Sequence, residues 1–198
     1  MREIVKPTLS LFIICLVVSF CLAFVNGMTK DAIEQRTLKD AEEQRSLVLN
    51  GAESFKPVPA EDWKEKDESG RIREVYAAYK EENFAGYVFN ATSAGYGGEI
   101  EVTVGVGGNA KITGVKIGNN SETPGLGAKT AGDDFTGQYI DKDLQTDFVI
   151  VKRPASEANE IQAVSGATIS STAVTKAVGA CAALGNKLLQ EQDGGEAK

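Results

Sequence analysis

The chain of 198 residues contains no histidine and only three cysteines. Without histidine there can be no Ser-His-Asp or Cys-His catalytic arrangement, no histidine-ligated haem and none of the common zinc sites. Cys15, Cys21 and Cys181 are too few for a four-thiolate iron–sulfur site or a disulfide framework. No metal site is expected, and redox chemistry here would need an organic cofactor. Basic residues are also in short supply: 21 Lys and Arg stand against 28 Asp and Glu, for a net charge of -7. That balance argues against a nucleic-acid partner, since such binders normally carry a basic patch. Apolar residues make up 42% and charged residues 25%, which excludes a disordered or collagen-like chain. The length suits one domain plus an appendage.

Charge is missing altogether from the 23 residues between Lys6 and Lys30. Within that gap, Leu9 to Val25 holds only Ser10 and Ser19 that are not apolar. A helix rising about 1.5 Å per residue carries such a run across a hydrocarbon core roughly 30 Å thick. A cleaved signal peptide is the competing reading. The run exceeds the usual apolar region of about 7–15 residues, and no clear A-x-A site follows. Phe20, before Cys21, is too large for lipoprotein cleavage. Arg2 and Lys6 precede the span, whereas Lys30 is followed at once by Asp31 and Glu34. The positive-inside bias then puts the N-terminus in the cytoplasm and the rest outside. Residues 1–30 carry a net +2, which leaves -9 on the remainder. With Cys15 and Cys21 in the span, no intramolecular disulfide is available outside it.

After the span, Thr29 to Leu49 is rich in strong helix formers and lacks Gly and Pro. Its apolar positions are sparse, so it reads as a solvated stalk helix ended by Gly51; a partner-binding helix is the alternative. Residues 50–70 read as a loop with a short helical turn near Asp62. Strands are predicted at 74–79, 87–91, 99–104, 111–117 and 148–152. The clearest alternates Ile100, Val102 and Val104 with Glu99, Glu101 and Thr103 and predicts a half-buried strand. Gly107-Gly108-Asn109 turns it into a hairpin. A short helix is predicted over 133–140. Val174, Val178, Cys181, Leu184 and Leu188 follow helical spacing and predict a final helix packed on the sheet. The architecture expected is α+β: a single transmembrane helix (1–28, with a cytoplasmic tip), a stalk helix (29–50), and a domain over 51–192 built on a mostly antiparallel sheet with helices. Residues 193–198 read as a disordered tail.

Three motifs carry the candidate chemistry. Ser165-Gly166-Ala167-Thr168-Ile169-Ser170-Ser171 stands just before the last helix. Ser170 or Thr172 could serve as a helix cap. Alternatively, Gly166 lets the backbone approach an anion held by the free amides and the helix dipole. Glu122-Thr123-Pro124-Gly125-Leu126-Gly127 suits a type II turn. Gly95-Tyr96-Gly97-Gly98 is a strand-entry turn whose Tyr96 could stack on a ring. Thirteen of the 21 glycines lie between residues 86 and 137, which fits tight turns around a ligand. Gly105-Val106-Gly107-Gly108 lies in the hairpin and opens no helix, so no dinucleotide fingerprint is present.

Taken in this order after a membrane span, the three motifs resemble the covalent-FMN-binding domain family, which includes the G-type subunits of Rnf ion-translocating complexes and the C-type subunits of sodium-pumping quinone reductases. The resemblance covers nearly the whole chain. It implies FMN joined through its phosphate to Thr168 as a phosphothreonine ester, installed by a flavin transferase that uses FAD. It also implies that Ser165, Gly166, Ala167, Ser170 and Ser171 surround the attachment point. Glu122, Thr123, Pro124, Gly125, Leu126 and Gly127, with Tyr96, would line the ring, and Thr123 and Leu126 would be its direct contacts. One departure is Gln162, where family motifs often carry an acid. The function implied is electron transfer within a ferredoxin:NAD oxidoreductase translocase, between membrane flavoprotein and iron–sulfur subunits. The chain would be anchored in lipid with its FMN domain outside the cell membrane, and no independent turnover is expected. An extracytoplasmic binding or sensor module without covalent flavin, and a stand-alone flavoprotein carrier, remain the alternatives.

Overall fold

The computed structural model describes residues 2–195, in two units divided between Glu43 and Gln44. One helix, α1 (Arg2–Val48), runs through the apolar stretch and the stalk without a break. In the first unit, Lys6–Lys30 is long and apolar enough to cross a membrane. Leu11, Phe20 and Leu22 on it are exposed, as a surface suited to lipid would be.

The second unit is built on a five-stranded antiparallel sheet in the order β1-β2-β3-β4-β5. Its strands are β1 (Ser54–Pro57), β2 (Ile72–Lys80), β3 (Asn83–Ala94), β4 (Glu99–Gly107) and β5 (Ile112–Asn120). A short helix, α2 (Ala60–Trp63), interrupts the loop between β1 and β2. After β5 come a 3₁₀ turn (Gly127–Ala131), α3 (Asp133–Thr136) and a second 3₁₀ turn (Gly137–Tyr139). Then β6 (Val149–Val151) pairs in parallel with β7 (Glu160–Gln162), and α4 (Thr168–Gly195) closes the unit. β1 lies in the stretch expected to be loop. Pro57 ends it at the sheet edge, where a missing N–H is tolerated. The segment expected as one helix over 133–140 is α-helical only to Thr136. α4 reaches Gly195, into the stretch read as a disordered tail; residues 196–198 lie outside the described residues.

Ile100, Val102, Val104 and Val106 are fully buried against α4, where Val174, Val178, Cys181, Leu184 and Leu188 point inward. Gly185, an expensive residue in a helix interior, sits at the tightest approach. A Cβ there would lie 3.3 Å from both Phe89 and Val106. Cys181 is fully enclosed, and burial pushes its thiol well above the ordinary range, so it has no redox reach.

The half-buried strand expected over 99–104 leaves Glu99 exposed and Glu101 partly so, but the last turn of α1 covers part of that face. Val48 and Leu49 are buried with Ala78 and Val88, and Thr103 is 5% exposed. Thr113 Oγ1 donates to the Val48 carbonyl at 2.6 Å, and Thr103 Oγ1 donates to Gln44 Oε1 at 3.1 Å. The stalk is therefore not solvated to its end. The helix stops at Val48, and Gly51 reverses the chain at φ +91.

Candidate functional site

The site is assembled from three segments far apart in sequence, tied by one carboxylate. Glu122, at the end of the β5 loop, is 6% exposed. Its Oε1 accepts the N–H of Tyr96 at 2.7 Å and that of Gly97 at 3.0 Å. Its Oε2 accepts the Ser170 hydroxyl at 2.7 Å, from the first turn of α4. Burial alone would raise the Glu122 pKa. The hydrogen bonds from Ser170, Gly97 and Tyr96 outweigh it and hold the carboxyl below its ordinary value. Glycine flanks the carboxylate on both sides for lack of room. A Cβ at Gly95 would come within 2.2 Å of Glu122 Oε1, and one at Gly127 within 2.2 Å of Oε2.

Two turns shape the rest. Leu126 N–H donates to the Thr123 carbonyl at 3.1 Å, with Gly125 at φ +79, as the predicted type II turn requires. Ala167 N–H donates to the Val164 carbonyl at 2.9 Å, with Gly166 at φ +77. The Ala167 carbonyl then accepts the first helical bond, from Ser171. The helix thus begins on a residue with no capping side chain, and neither Ser170 nor Thr172 caps it, because both lie inside the first turns. The amides of Thr168, Ile169 and Ser170 have no carbonyl one turn back to meet.

The hydroxyls around this start are almost all committed. Ser170 is tied to Glu122; Ser171 accepts the Val164 N–H at 3.0 Å and donates to the Ala167 carbonyl at 2.9 Å. Thr172 donates to the Thr168 carbonyl at 2.8 Å. Thr175 is shared between the Ser171 carbonyl and the Tyr139 hydroxyl. Among the described residues, the hydroxyls of Ser165 and Thr168 alone in the stretch 165–175 have no hydrogen-bond partner.

Thr168 stands where two cavities share a lip. One, of about 550 Å³, is lined by Tyr96, Glu122, Thr123, Leu126, Gly127 and residues 166–170. Tyr96, Leu126 and Ile169 are exposed there, an unusual concentration of apolar side chains in the open. The other, of about 440 Å³, lies between Arg71, Arg73, Thr92, Glu99 and the outer face of α4 at Thr168, Thr172 and Lys176. Of the expected site residues, Tyr96, Glu122, Thr123, Leu126, Gly127, Gly166, Ala167, Thr168 and Ser170 come together on the first cavity. Pro124 and Gly125 form the outer corner of their turn, and Ser171 points fully inward. Ser165 faces a separate hollow that it shares with Gln162 and Gln138. There the Gln138 side chain grips the Gln162 backbone, its Oε1 accepting the N–H at 2.7 Å and its Nε2 donating to the carbonyl at 3.2 Å.

The loop before this motif is held by Glu160. Its carboxylate accepts the Ser156 N–H and both terminal nitrogens of Arg153, which takes its pKa down to about 2. Sequence reasoning missed Arg71, Arg73 and Lys176. Nothing local to them signals a site, since they reach it from the start of β2 and from two turns along α4.

Residues 95–183 match the FMN-binding domain family. The chain is 37% identical over 188 residues to the G subunit of the Na(+)-translocating ferredoxin:NAD(+) oxidoreductase complex of Acetobacterium woodii, covering 89% of each. It is 36% identical over 178 residues to the proton-translocating counterpart of Clostridium ljungdahlii, again over 89% of each. In fold it is similar to the C subunit of the Na(+)-translocating NADH-quinone reductase of Parabacteroides distasonis, with a TM-score of 0.61 at 18% identity, covering 80% of this chain and 96% of that one. With the sheet, the glycine turns and the Ser-Gly-Ala-Thr helix start in place, the chain belongs to the family of G subunits of ion-translocating oxidoreductase complexes, built on an FMN-binding domain.

Proposed function

We propose that this chain is an electron-transfer subunit of a membrane-bound, ion-translocating ferredoxin:NAD oxidoreductase, with FMN esterified to Thr168. The observation that carries the reading is the free Thr168 hydroxyl among committed neighbours, at the lip of an apolar cavity and the start of a long helix. The residues present fit the group. A cavity near 550 Å³ lies within the range of about 300–1,000 Å³ usual for small-molecule sites. Tyr96, Leu126 and Ile169 suit the flat faces of an isoalloxazine ring, and the helix start suits a phosphoryl group.

When bound, the flavin would supply the electron-carrying chemistry. The chain's part is to hold and orient it. Attachment would form a bond from Thr168 Oγ1 to the flavin-side phosphorus of FAD. The diphosphate bridge breaks, AMP leaves and the hydroxyl proton passes to solvent; a separate transferase would catalyse this. Glu122 holds the Tyr96 turn against the helix start, so the ring-facing wall and the attachment point keep one spacing. Lys6–Lys30 would anchor the chain in lipid with its N-terminus in the cytoplasm and the flavin domain outside, where a tether prevents loss of the cofactor. Neighbouring membrane flavoprotein and iron–sulfur subunits would be the electron partners.

Coexpression with a flavin transferase tests this. Intact-mass measurement should show one FMN adduct on the wild-type chain, and denatured protein should fluoresce in the gel. Thr168→Val should lose both. A Thr168→Val chain as fluorescent as wild type would overturn the assignment.

A further inference from the structure

The second cavity at Thr168 has no role in the reading above, and its chemistry is the reverse of the first. The apolar cavity is lined by no Lys or Arg, and its one carboxylate is already engaged by three donors. The other brings Arg71, Arg73 and Lys176 together against a single carboxylate, Glu99. Arg73 reaches Glu99 only at 3.8 Å and donates to Thr92 Oγ1 at 3.0 Å; Arg71 makes a long 3.4 Å contact to the Ser69 carbonyl. Lys176 makes no hydrogen bond or ion pair among the described residues. It lies eight residues after Thr168, roughly 12 Å of helical rise, on the same face as Thr172, and lines the same cavity as both. Cationic charge is thus in excess, and the only group shared by both cavities that can be derivatised is the Thr168 hydroxyl.

From this juxtaposition we infer that the cavity framed by Arg71, Arg73 and Lys176 is an anion subsite that receives the phosphoryl group of the ligand carried at Thr168, leaving the Tyr96 and Leu126 side for the ring. This rests on the flavin reading of the site. The three cations then set two things: preference for a phosphorylated over an unphosphorylated flavin, and the direction in which the ligand leaves Thr168.

Two measurements on the full-length chain in detergent test the inference. In the Thr168→Val protein, FMN and riboflavin are titrated side by side. FMN is expected to bind roughly tenfold tighter, as a few partly exposed charge-assisted contacts would give. Inorganic phosphate should compete with FMN and leave riboflavin untouched. Adding R71Q, R73Q and K176Q should bring FMN down to the riboflavin affinity. Equal binding of the two flavins, or a preference that survives the triple change, overturns the inference while leaving the ring site standing. If neither flavin binds without the tether, the loaded wild-type protein decides. Its ³¹P resonance is compared with that of Lys176→Gln, an exposed position whose change leaves the fold intact. A shifted resonance supports the subsite, and an unchanged one overturns it. A wild-type chain that takes up no FMN adduct refutes the flavin reading itself, a result read by mass and distinct from either.

Discussion

The two faces of the sheet are covered by helices in opposite ways. α4 lays a long apolar stripe across β3 and β4, from Val174 to Leu188, and buries Phe89, Val102, Val104 and Val106 beneath it. The last turn of α1 touches the other face over a small patch centred on Val48, and one hydrogen bond to the Val48 carbonyl and one to the Gln44 side chain mark the contact. The first is broad and non-directional, and its stability comes from area. The second is narrow and directional, and its position comes from Thr113, Thr103 and the missing side chains of Gly105 and Gly114. A Cβ at Gly105 would lie 2.2 Å from the Val48 carbonyl oxygen. The α4 face therefore carries stability and the site, and the opposite face carries a narrow joint that seats residues 44–49 of the same unit.

The largest test of this contrast is Phe89→Ala. Phe89 is fully buried, and its loss should cost about 3–5 kcal/mol, seen as a large fall in the thermal midpoint of the second unit. A loss below about 1 kcal/mol would mean that area on the α4 face is not what holds the sheet. Next comes Gly105→Ala, which forces a new Cβ against the Val48 carbonyl at the joint. We expect up to about 3 kcal/mol, with increased hydrogen exchange at residues 44–49 and little change in α4. Equal loosening of both helices would erase the distinction drawn between them.

Glu122→Ala probes the start of α4 and should cost about 2 kcal/mol, since it leaves the N–H groups of Tyr96 and Gly97 and the Ser170 hydroxyl without their acceptor. Glu122→Gln keeps one carbonyl for the two amides and should cost less. Acid tests the same carboxylate. Its pKa is lowered on folding, so its contribution is complete above the ordinary carboxylate value and is lost as pH falls toward the folded one. The fluorescence of Tyr96, or of a flavin beside it, should change in that acidic window in the wild type and not in Glu122→Gln. The smallest effect is expected for Thr113→Val, which removes the 2.6 Å bond to Val48 at a cost of about 1 kcal/mol. Urea unfolding should show it as a midpoint shift with an unchanged slope.

Much of this architecture was readable in advance because it rests on periodicity. The strand alternation at Ile100, Val102 and Val104, the helical spacing from Val174 to Leu188 and the hairpin at Gly107-Gly108-Asn109 all appear where their patterns put them. β1 and β7 did not announce themselves. Ser-Phe-Lys-Pro and Glu-Ile-Gln are too short to show a period, and only their partners make them strands. The site followed the same division. Its motifs were visible as strings of small and turn-forming residues, but which of several hydroxyls is free depends on what the others bond. The engaged ones are Ser170, Ser171, Thr172 and Thr175. Arg71 and Arg73 carry no local mark that sets them apart from solvated surface charges.

Local rules thus decided what can be computed from neighbours along the chain: an uncharged stretch long enough for a bilayer, amphipathic strands, a helix with one apolar face, and glycine where a turn needs positive φ. Contacts between residues far apart in the chain decided the rest. Glu122 gathers the Tyr96 turn and the α4 start, the Val48 carbonyl seats on Thr113, and Lys176 joins two arginines from the start of β2. No pattern within one segment encodes these, because a hydrogen bond or a shared cavity exists only once folding has brought its distant partners together.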